Sequence, residues 1–520
     1  MIIRNVVRKN FYNDSVSLML LSSKIGKMAG VKEAAVMMAT AHNIEIMERS
    51  GLLLPDSKGA SPNDMLIAVL AEDEESSAAA LEAVDEYFAG GGQGVQAGDE
   101  LVAKSQTTAL GMLPGANLSL ISVPGPYAAA EAKKALNNKL HVFLFSDNVT
   151  LQEEKELKDI AAAKGLLMMG PDCGTAIING VGLGFANAVP KGPIGLVAAA
   201  GTGLQEVACL ITELGGGISQ ALGTGGRDIK NAIGGTTMLM GLAALARDPA
   251  TKVIVLVAKP PEENVLGKLN VALQSVNKPV VTCFLGAKGE LAGEGVYPVG
   301  NLQEAALKAV ELSALGADSG ADFIISASNV KEIAAAEATC LRTPQRYLRG
   351  LYSGGTLCYE ALLLVKPHIG NAYSNVSLEP HFLLASPDES KEHTLLDMGD
   401  DYFTAGRPHP MIDPSLRVER IRREAADPET AVILLDLVLG HGSHRDPAGA
   451  LLPAIREGKR EATAAGRHLS VVASVCGTSS DPQGLVEQEE KLRTAGVIVM
   501  PSNAQAVAMA AAILTSHNKI

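Results

Sequence analysis

Two parts of this chain repeat one another in order. AGTGLQE (Ala200–Glu206) resembles GGTLCYE (Gly354–Glu360), and TGGRD (Thr224–Asp228) resembles TAGRP (Thr404–Pro408). RDPATKVIVLV (Arg247–Val257) then resembles ADPETAVILLD (Ala426–Asp436), and KPVVTCFLG (Lys278–Gly286) resembles LSVVASVCG (Leu469–Gly477). Four matches in one order predict a duplicated domain. Each copy opens on a strand, a turn of small residues and a helix, and strands then alternate with helices. That alternation predicts two flavodoxin-like α/β domains, at residues 191–316 and 346–520. The weaker stretch 317–345 reads as their connection.

Upstream, residues 113–190 read as a Rossmann-like run: NLSLISVPG and LHVFLFSDN as strands, YAAAEAKKALNNK and TLQEEKELKDIAAAKG as helices, and LLMMGPDCG as a strand and turn. Residues 1–112 read as a small α/β domain. Its strands are IIRNVV, KEAAVMMAT and DMLIAVLAE, Asp14 and Ser15 are candidate caps of its first helix, and GGGQG (Gly90–Gly94) is a linker. The fold class expected is therefore α/β throughout. The composition agrees: aromatics are 3% of 520 residues, Trp is absent, and 53 glycines accompany a hydrophobic share of 47% that is mostly aliphatic, as buried parallel strands and βα turns require.

Charge and cysteine usage exclude several functions. A net charge of −13 (44 basic against 57 acidic residues) argues against a nucleic-acid or anionic-membrane partner. The six cysteines are scattered with no CxxC pair, which suits reduced thiols in a cytoplasm and predicts no zinc site. No stretch reaches about 18 apolar residues, so no transmembrane helix is expected.

The glycine turns carry the first chemical signal. Gly201, Thr202 and Gly203 place N–H groups and a hydroxyl at a helix start, and Gly354, Gly355 and Thr356 repeat the arrangement. Such starts hold phosphate; alternatively, glycine merely lets strand and helix pack closely. Packed about a pseudo-two-fold axis, two positive helix ends would face one anion. Arg227 in GGRD, preceded by Gly226, and Arg407 with His409 and Asp413 in AGRPHPMIDP offer anion-binding and acid–base groups. Their bland reading is as helix caps and loop residues. His441, Ser443, His444 and Arg445 in LGHGSHRDPAG offer a second anion pocket, or simply a polar loop. The His-x-x-His spacing there has no evident third metal ligand, so no metal is expected. Cys173 in GPDCG is read as part of a turn rather than a nucleophile, and Lys259 in AKPPEE as a loop lysine at a strand end.

The segments SDNVTLQEEKELK, GLLMMGPDCGTAI, TGGRDI, GDDYFTAGRPHPMIDP and RDPAG, with the opening NDSVSLM, resemble succinyl-CoA synthetase-like proteins. More closely they resemble the FdrA family, whose members join a part similar to that synthetase's α subunit to a part similar to the end of its β subunit. Two departures from the synthetase are plain. AKGELAGEGVYPVG holds no His where the resemblance implies a phosphorylated one, and no His occurs between His141 and His368. No GxTGxxG-like loop for CoA precedes NLSLISV. The resemblance thus implies a subunit of an oxamate-type carbamoyltransferase in purine or allantoin catabolism. Phosphate would cleave a ureido acid such as oxalurate to carbamoyl phosphate, with Arg407, His409 and Arg227 as catalytic residues. A small anion is then the substrate, CoA is not expected, and the partners expected are other carbamoyltransferase subunits, compatible with a homo-oligomer. The alternatives are an NDP-forming acyl-CoA synthetase and a non-catalytic anion-binding scaffold.

Overall fold

The computed structural model describes residues 1–9, 11, 13, 15–62, 64–89, 103, 105–287, 291, 293–313, 323–377, 379–404 and 407–517. The chain divides into two units, residues 1–114 with 403–408, and residues 115–402 with 409–520.

The first unit contains β1 (Ile2–Arg8), α1 (Ser15–Gly26), β2 (Val31–Met38), α2 (Ala41–Arg49), β3 (Met65–Ala71), α3 (Glu74–Ala89) and α4 (Gln106–Met112). Its strands form an antiparallel sheet in the order β1-β3-β2. The central strand is apolar on both faces. Met65, Ile67, Val69 and Ala71 pack with Leu18, Leu21 and Val84, while Leu66 and Ala68 pack with Met47 and Leu52. Period-2 alternation explains the two small cores. Thr40 accepts the Asn43 N–H and caps α2. The guanidinium of Arg8 lies over the rings of Phe11 and Phe88, at 5.4 and 5.3 Å, and pairs with Asp85. The expected cap Asp14 and the linker Gly90–Gly94 lie outside the described residues.

The second unit begins with β4 (Leu118–Ile121), α5 (Gly125–Asn137), β5 (His141–Leu144), α6 (Leu151–Lys164) and β6 (Met168–Met169), a parallel sheet in the order β4-β5-β6. α6 is delimited by a capping box between Thr150 and Glu153 and by left-handed Gly165. Next come β7 (Thr175–Ile178), β8 (Val181–Gly184), β9 (Lys191–Ala198), α7 (Gly201–Glu213), β10 (Ile218–Gly223), α8 (Thr236–Arg247), β11 (Val253–Ala258), α9 (Glu263–Leu273), β12 (Val280–Phe284), β13 (Val296–Pro298) and α10 (Leu302–Leu312). The β7–β8 hairpin pairs antiparallel with β10, so it extends the second sheet rather than the Rossmann-like one. The second sheet therefore starts at Thr175, ahead of the expected boundary at residue 191.

α11 (Ala327–Cys340) occupies the stretch expected as a connection. Glu337 accepts from Ser470 Oγ at 2.6 Å, and Gln505 accepts the Ile325 N–H at 2.9 Å, so this stretch is docked on the C-terminal domain. That domain holds β14 (Tyr347–Tyr352), α12 (Gly355–Ile369), β15 (Thr394–Asp397), α13 (Ser415–Ala426), β16 (Thr430–Val438), α14 (Pro447–Ala464), β17 (Ser470–Cys476), α15 (Leu485–Thr494), β18 (Ile498–Met500) and α16 (Asn503–His517).

The duplication is visible in the topology. The parallel strands run β10-β9-β11-β12-β13 in the first copy and β15-β14-β16-β17-β18 in the second. Numbered within each copy, both orders are 2-1-3-4-5, the flavodoxin-like order. One core spans both copies, with Leu204, Val207 and Ala208 of α7 packed in the same cluster as Leu357, Ala361 and Val365 of α12 and Val507, Ala510 and Leu514 of α16. Burying each Leu or Val contributes about 1.5–3 kcal/mol.

The copies also exchange helix caps. Glu206 of α7 accepts the Asn503 N–H that opens α16, at 3.0 Å, while Glu360 of α12 accepts the Leu302 N–H that opens α10, at 2.7 Å. The Asn503 side chain donates to the other Glu360 oxygen at 2.7 Å. Burial pushes the Glu360 carboxyl up to about 7.

Candidate functional site

α7 and α12 each follow the first strand of their sheet, where the strand order reverses and an α/β sheet opens a crevice. Their starts meet. Thr202 Oγ1 accepts the Thr356 N–H at 3.3 Å, and a Cβ on Gly203 would lie 2.8 Å from Thr356 Cγ2. A Cβ on Gly354 would lie 2.9 Å from Thr202 Cβ. Glycine is therefore required at both positions for the helices to approach, and six residues of the expected anion site form one cluster.

The two starts are not equivalent, which sequence symmetry did not suggest. α7 has no side-chain cap, and Gly201 is exposed with open space where a Cβ would be. Among the described residues no side chain caps the N–H groups of its first turn. α12 likewise has no cap from its own N-cap residue, but the turn that leads into it is filled. Asp436 accepts from Ser353 N at 2.7 Å, Ser353 Oγ at 3.0 Å and Gly354 N at 2.8 Å, and it pairs with buried Arg417 at 3.0 Å. Asp397 Oδ2 rests against Gly355. Burial pushes the Asp397 carboxyl up to about 7, opposed by the Gly399 N–H and by Lys259. Lys259 reaches in from the end of β11, its ammonium 5.0 Å from the centre of the Tyr359 ring. Asp397, Asp436 and Arg417 were not among the sequence candidates.

His409 stands beside this cluster. Its Nδ1 accepts the Met411 N–H at 3.2 Å, which leaves the proton of the neutral ring on Nε2, next to Gly399. Its ring is 5.7 Å from Phe185. Burial, reinforced by Arg417, pushes its pKa down to about 4. The expected general-acid role is corrected accordingly: near neutral pH this ring is uncharged and can donate from Nε2, but it is not an imidazolium. A stability test follows. The unfolded ring protonates first as pH falls through 6.5, and the folded ring only near 4, so the folded state loses stability across that window. Relative to His409→Gln, the wild-type chain is expected to lose up to about 1.4 kcal/mol per pH unit there, as urea midpoints of the two proteins would show.

The loop after β16 adjoins His409 through the backbone. His444 N donates to Met411 O at 2.7 Å, and Ala186, next to Phe185, exchanges hydrogen bonds with His441 at 2.7 and 3.3 Å. The His441 and Arg445 side chains are exposed, and the Ser443 hydroxyl is buried with no hydrogen-bond partner among the described residues. His444 Nδ1 accepts the Asp446 N–H at 3.0 Å, which fixes the ring within its own turn.

Other candidates have structural duties. Arg227 pairs with buried Glu154 at 2.7 Å and donates to Val149 O at 2.8 Å. Glu154 also pairs with Lys158 at 3.1 Å, and Lys158 with Asp228 at 2.7 Å, all three fully buried. Asp228 caps α8 through Thr237 N and Met238 N. Arg227 thus ties α6 to the second sheet, and Gly226 before it is an open turn. Asp413 accepts from Ser415 N at 3.0 Å and caps α13. Arg407 is exposed and belongs to the first unit. Cys173 is buried, with its thiol pushed up to about 12, so it is not a nucleophile. Asp172, in the turn after β6, has an exposed surface, yet desolvation of its carboxyl, then the charges of Asp147 and Asp401, raise it to about 6.

Among the described residues, no three His, Cys, Asp or Glu side chains could hold a metal ion, and no helix is long and apolar enough to cross a membrane. Residues 351–513 match the CoA-ligase family, and residues 1–103 match a family described as AllF, heavy metal-associated domain. Residues 1–103 contain no cysteine, so the thiolates that favour soft metals are missing there. Two succinate–CoA ligase [ADP-forming] α subunits are 28% identical to this chain. That of Methanothermobacter thermautotrophicus matches over 39% of this chain and 69% of its own length, and subunit alpha 2 of Archaeoglobus fulgidus over 42% and 77%. YahF, an uncharacterized protein of Escherichia coli K12, is 44% identical over 97% of both chains. The chain belongs to the family of YahF, with a C-terminal domain of the CoA-ligase type.

Proposed function

We propose that this protein is a CoA-ligase-type enzyme that transfers an acyl-type group to or from phosphate, with the phosphate held at the open start of α7. The observation that carries this reading is the meeting of two glycine-opened helix starts, of which α7 keeps its N–H groups uncapped. Lys259 and the Nε2–H of His409 supply further donors for the charge that develops on the reacting carbonyl. The CoA-ligase match and the succinate–CoA ligase relatives favour a CoA thioester as the other substrate.

A second reading is carbamoyl transfer from a ureido acid such as oxalurate, giving carbamoyl phosphate. Two observations favour it. No His lies between His141 and His368 to carry a phosphoryl group, and among the described residues the Rossmann-like sheet has no strand and glycine loop ahead of β4. Partner subunits belong to this reading.

Both are tested by one set of assays, on the full chain alone and with the proteins encoded beside it. CoA-dependent release of ADP from ATP with a carboxylic acid supports the ligase, and carbamoyl phosphate from oxalurate and phosphate supports the carbamoyltransferase. Neither product in any combination overturns the enzymatic reading. In whichever assay is positive, His409→Ala is expected to lower turnover roughly 10²-fold, the effect of removing one preorganised donor to a developing oxyanion.

A further inference from the structure

Either transfer moves one proton. When monohydrogen phosphate attacks a ureido carbonyl, an O–C bond forms and the C–N bond breaks; the phosphate loses a proton and the leaving amide nitrogen gains one. When a thiol attacks an acyl phosphate, an S–C bond forms and the C–O bond breaks; the thiol loses a proton and the released phosphate gains one. A single group that gives its proton to the leaving atom and regains one from the attacking phosphate or thiol serves both, with no other co-reactant.

We infer that Asp397 is that group. It ends β15, at the mouth of the sheet, and its backbone is clamped by Asn375, which accepts the Asp397 N–H at 3.0 Å and donates to the Asp397 carbonyl at 2.9 Å. Oδ1 accepts the Gly399 N–H at 2.9 Å. Oδ2 has no donor among the described residues and lies against Gly355, the first residue of α12, in a residue that is only 8% exposed. The next residue, Thr356, touches Thr202 of the open α7 start. Around the carboxyl stand Lys259 from the end of β11, Asp436 of β16, Cys358 of α12, Asp400 of the same loop, and His409 against Gly399. Arg417 already matches the charge of Asp436, which leaves Lys259 to face both the Asp397 carboxylate and a phosphate dianion, and one cation disfavours both staying fully charged. A bound phosphate therefore drives a proton onto Oδ2, and the O–H so formed holds the proton given to the leaving group.

This inference rests on the phosphate reading above, and the test separates the two. Inorganic phosphate is titrated calorimetrically into the full chain at pH 8, in two buffers of different ionisation heat. The wild-type chain is expected to take up close to one proton per phosphate bound, and Asp397→Asn to bind phosphate with essentially no uptake. Equal uptake by both proteins overturns the assignment of Asp397 and leaves the phosphate reading standing. No phosphate binding by the wild type overturns the phosphate reading and this inference with it. The Asn side chain keeps an oxygen for the Gly399 N–H. Should that variant still fail to fold, the wild type alone decides. Its phosphate affinity is expected to fall about tenfold between pH 8 and pH 9, and a flat profile overturns the inference.

Discussion

Replacing Asp436 by Ala is expected to lower the stability of the second unit by about 3–5 kcal/mol, the scale seen when one partner of a buried ion pair is removed. Three donors, Ser353 N, Ser353 Oγ and Gly354 N, lose their acceptor at once, and Arg417 is left charged and buried. The Arg417 guanidinium keeps only the carbonyls of Leu351 and residue 436 as partners for the N–H groups now bonded, both at 2.7 Å. The urea midpoint, followed by circular dichroism, measures the loss. Adding Arg417→Met removes the stranded charge and is expected to restore part of it, because the penalty lies largely in the unpaired group. A single variant as stable as wild type would mean that the α12 start does not need the carboxylate.

The second large effect is on binding. Gly201 is the first residue of α7, its Cβ position is empty, and Ala200 before it has extended backbone at φ −159° and ψ 99°. Proline is tolerated at a first helical position and after an extended residue, so Gly201→Pro keeps the helix while deleting one N–H. A hydrogen bond to a charged group is worth about 1.5–3 kcal/mol, so phosphate affinity is expected to fall roughly ten- to hundredfold. Stability should stay within about 1 kcal/mol of wild type. Titration calorimetry with inorganic phosphate, beside a thermal melt, reads both quantities. Unchanged affinity would place the anion elsewhere.

Much of the architecture was legible because it is written in local chemistry. The strand–glycine turn–helix pattern at Gly201 and again at Gly354 announced the duplication, and TLQEEKELKDIAAAKG read as the helix that is α6. What stayed hidden was tertiary. Asp397 and Asp436 sit in the apolar strands β15 and β16, and only the sheet order brings both to the start of α12. Arg227 looked free because its partner, Glu154, lies on a helix of a different layer. The stretch 317–345 read as a connection because α11 is rich in alanine and buries few large side chains; Ala334 and Ala338 are the small contacts that dock it. His409 was a candidate from its loop alone, but burial, which sets its charge, is not a property of sequence.

The exchanged caps have a consequence for how this protein can be divided. Each flavodoxin-like copy supplies the glutamate that satisfies a helix start in the other, Glu206 for α16 and Glu360 for α10. A chain cut between residues 313 and 327 would yield two fragments, each with a buried carboxyl lacking its donor and a helix lacking its acceptor. Neither fragment should be soluble alone, yet each is shaped to rescue the other. Produced together, they are expected to reassemble, which makes this boundary a natural place to build a split reporter from the fold.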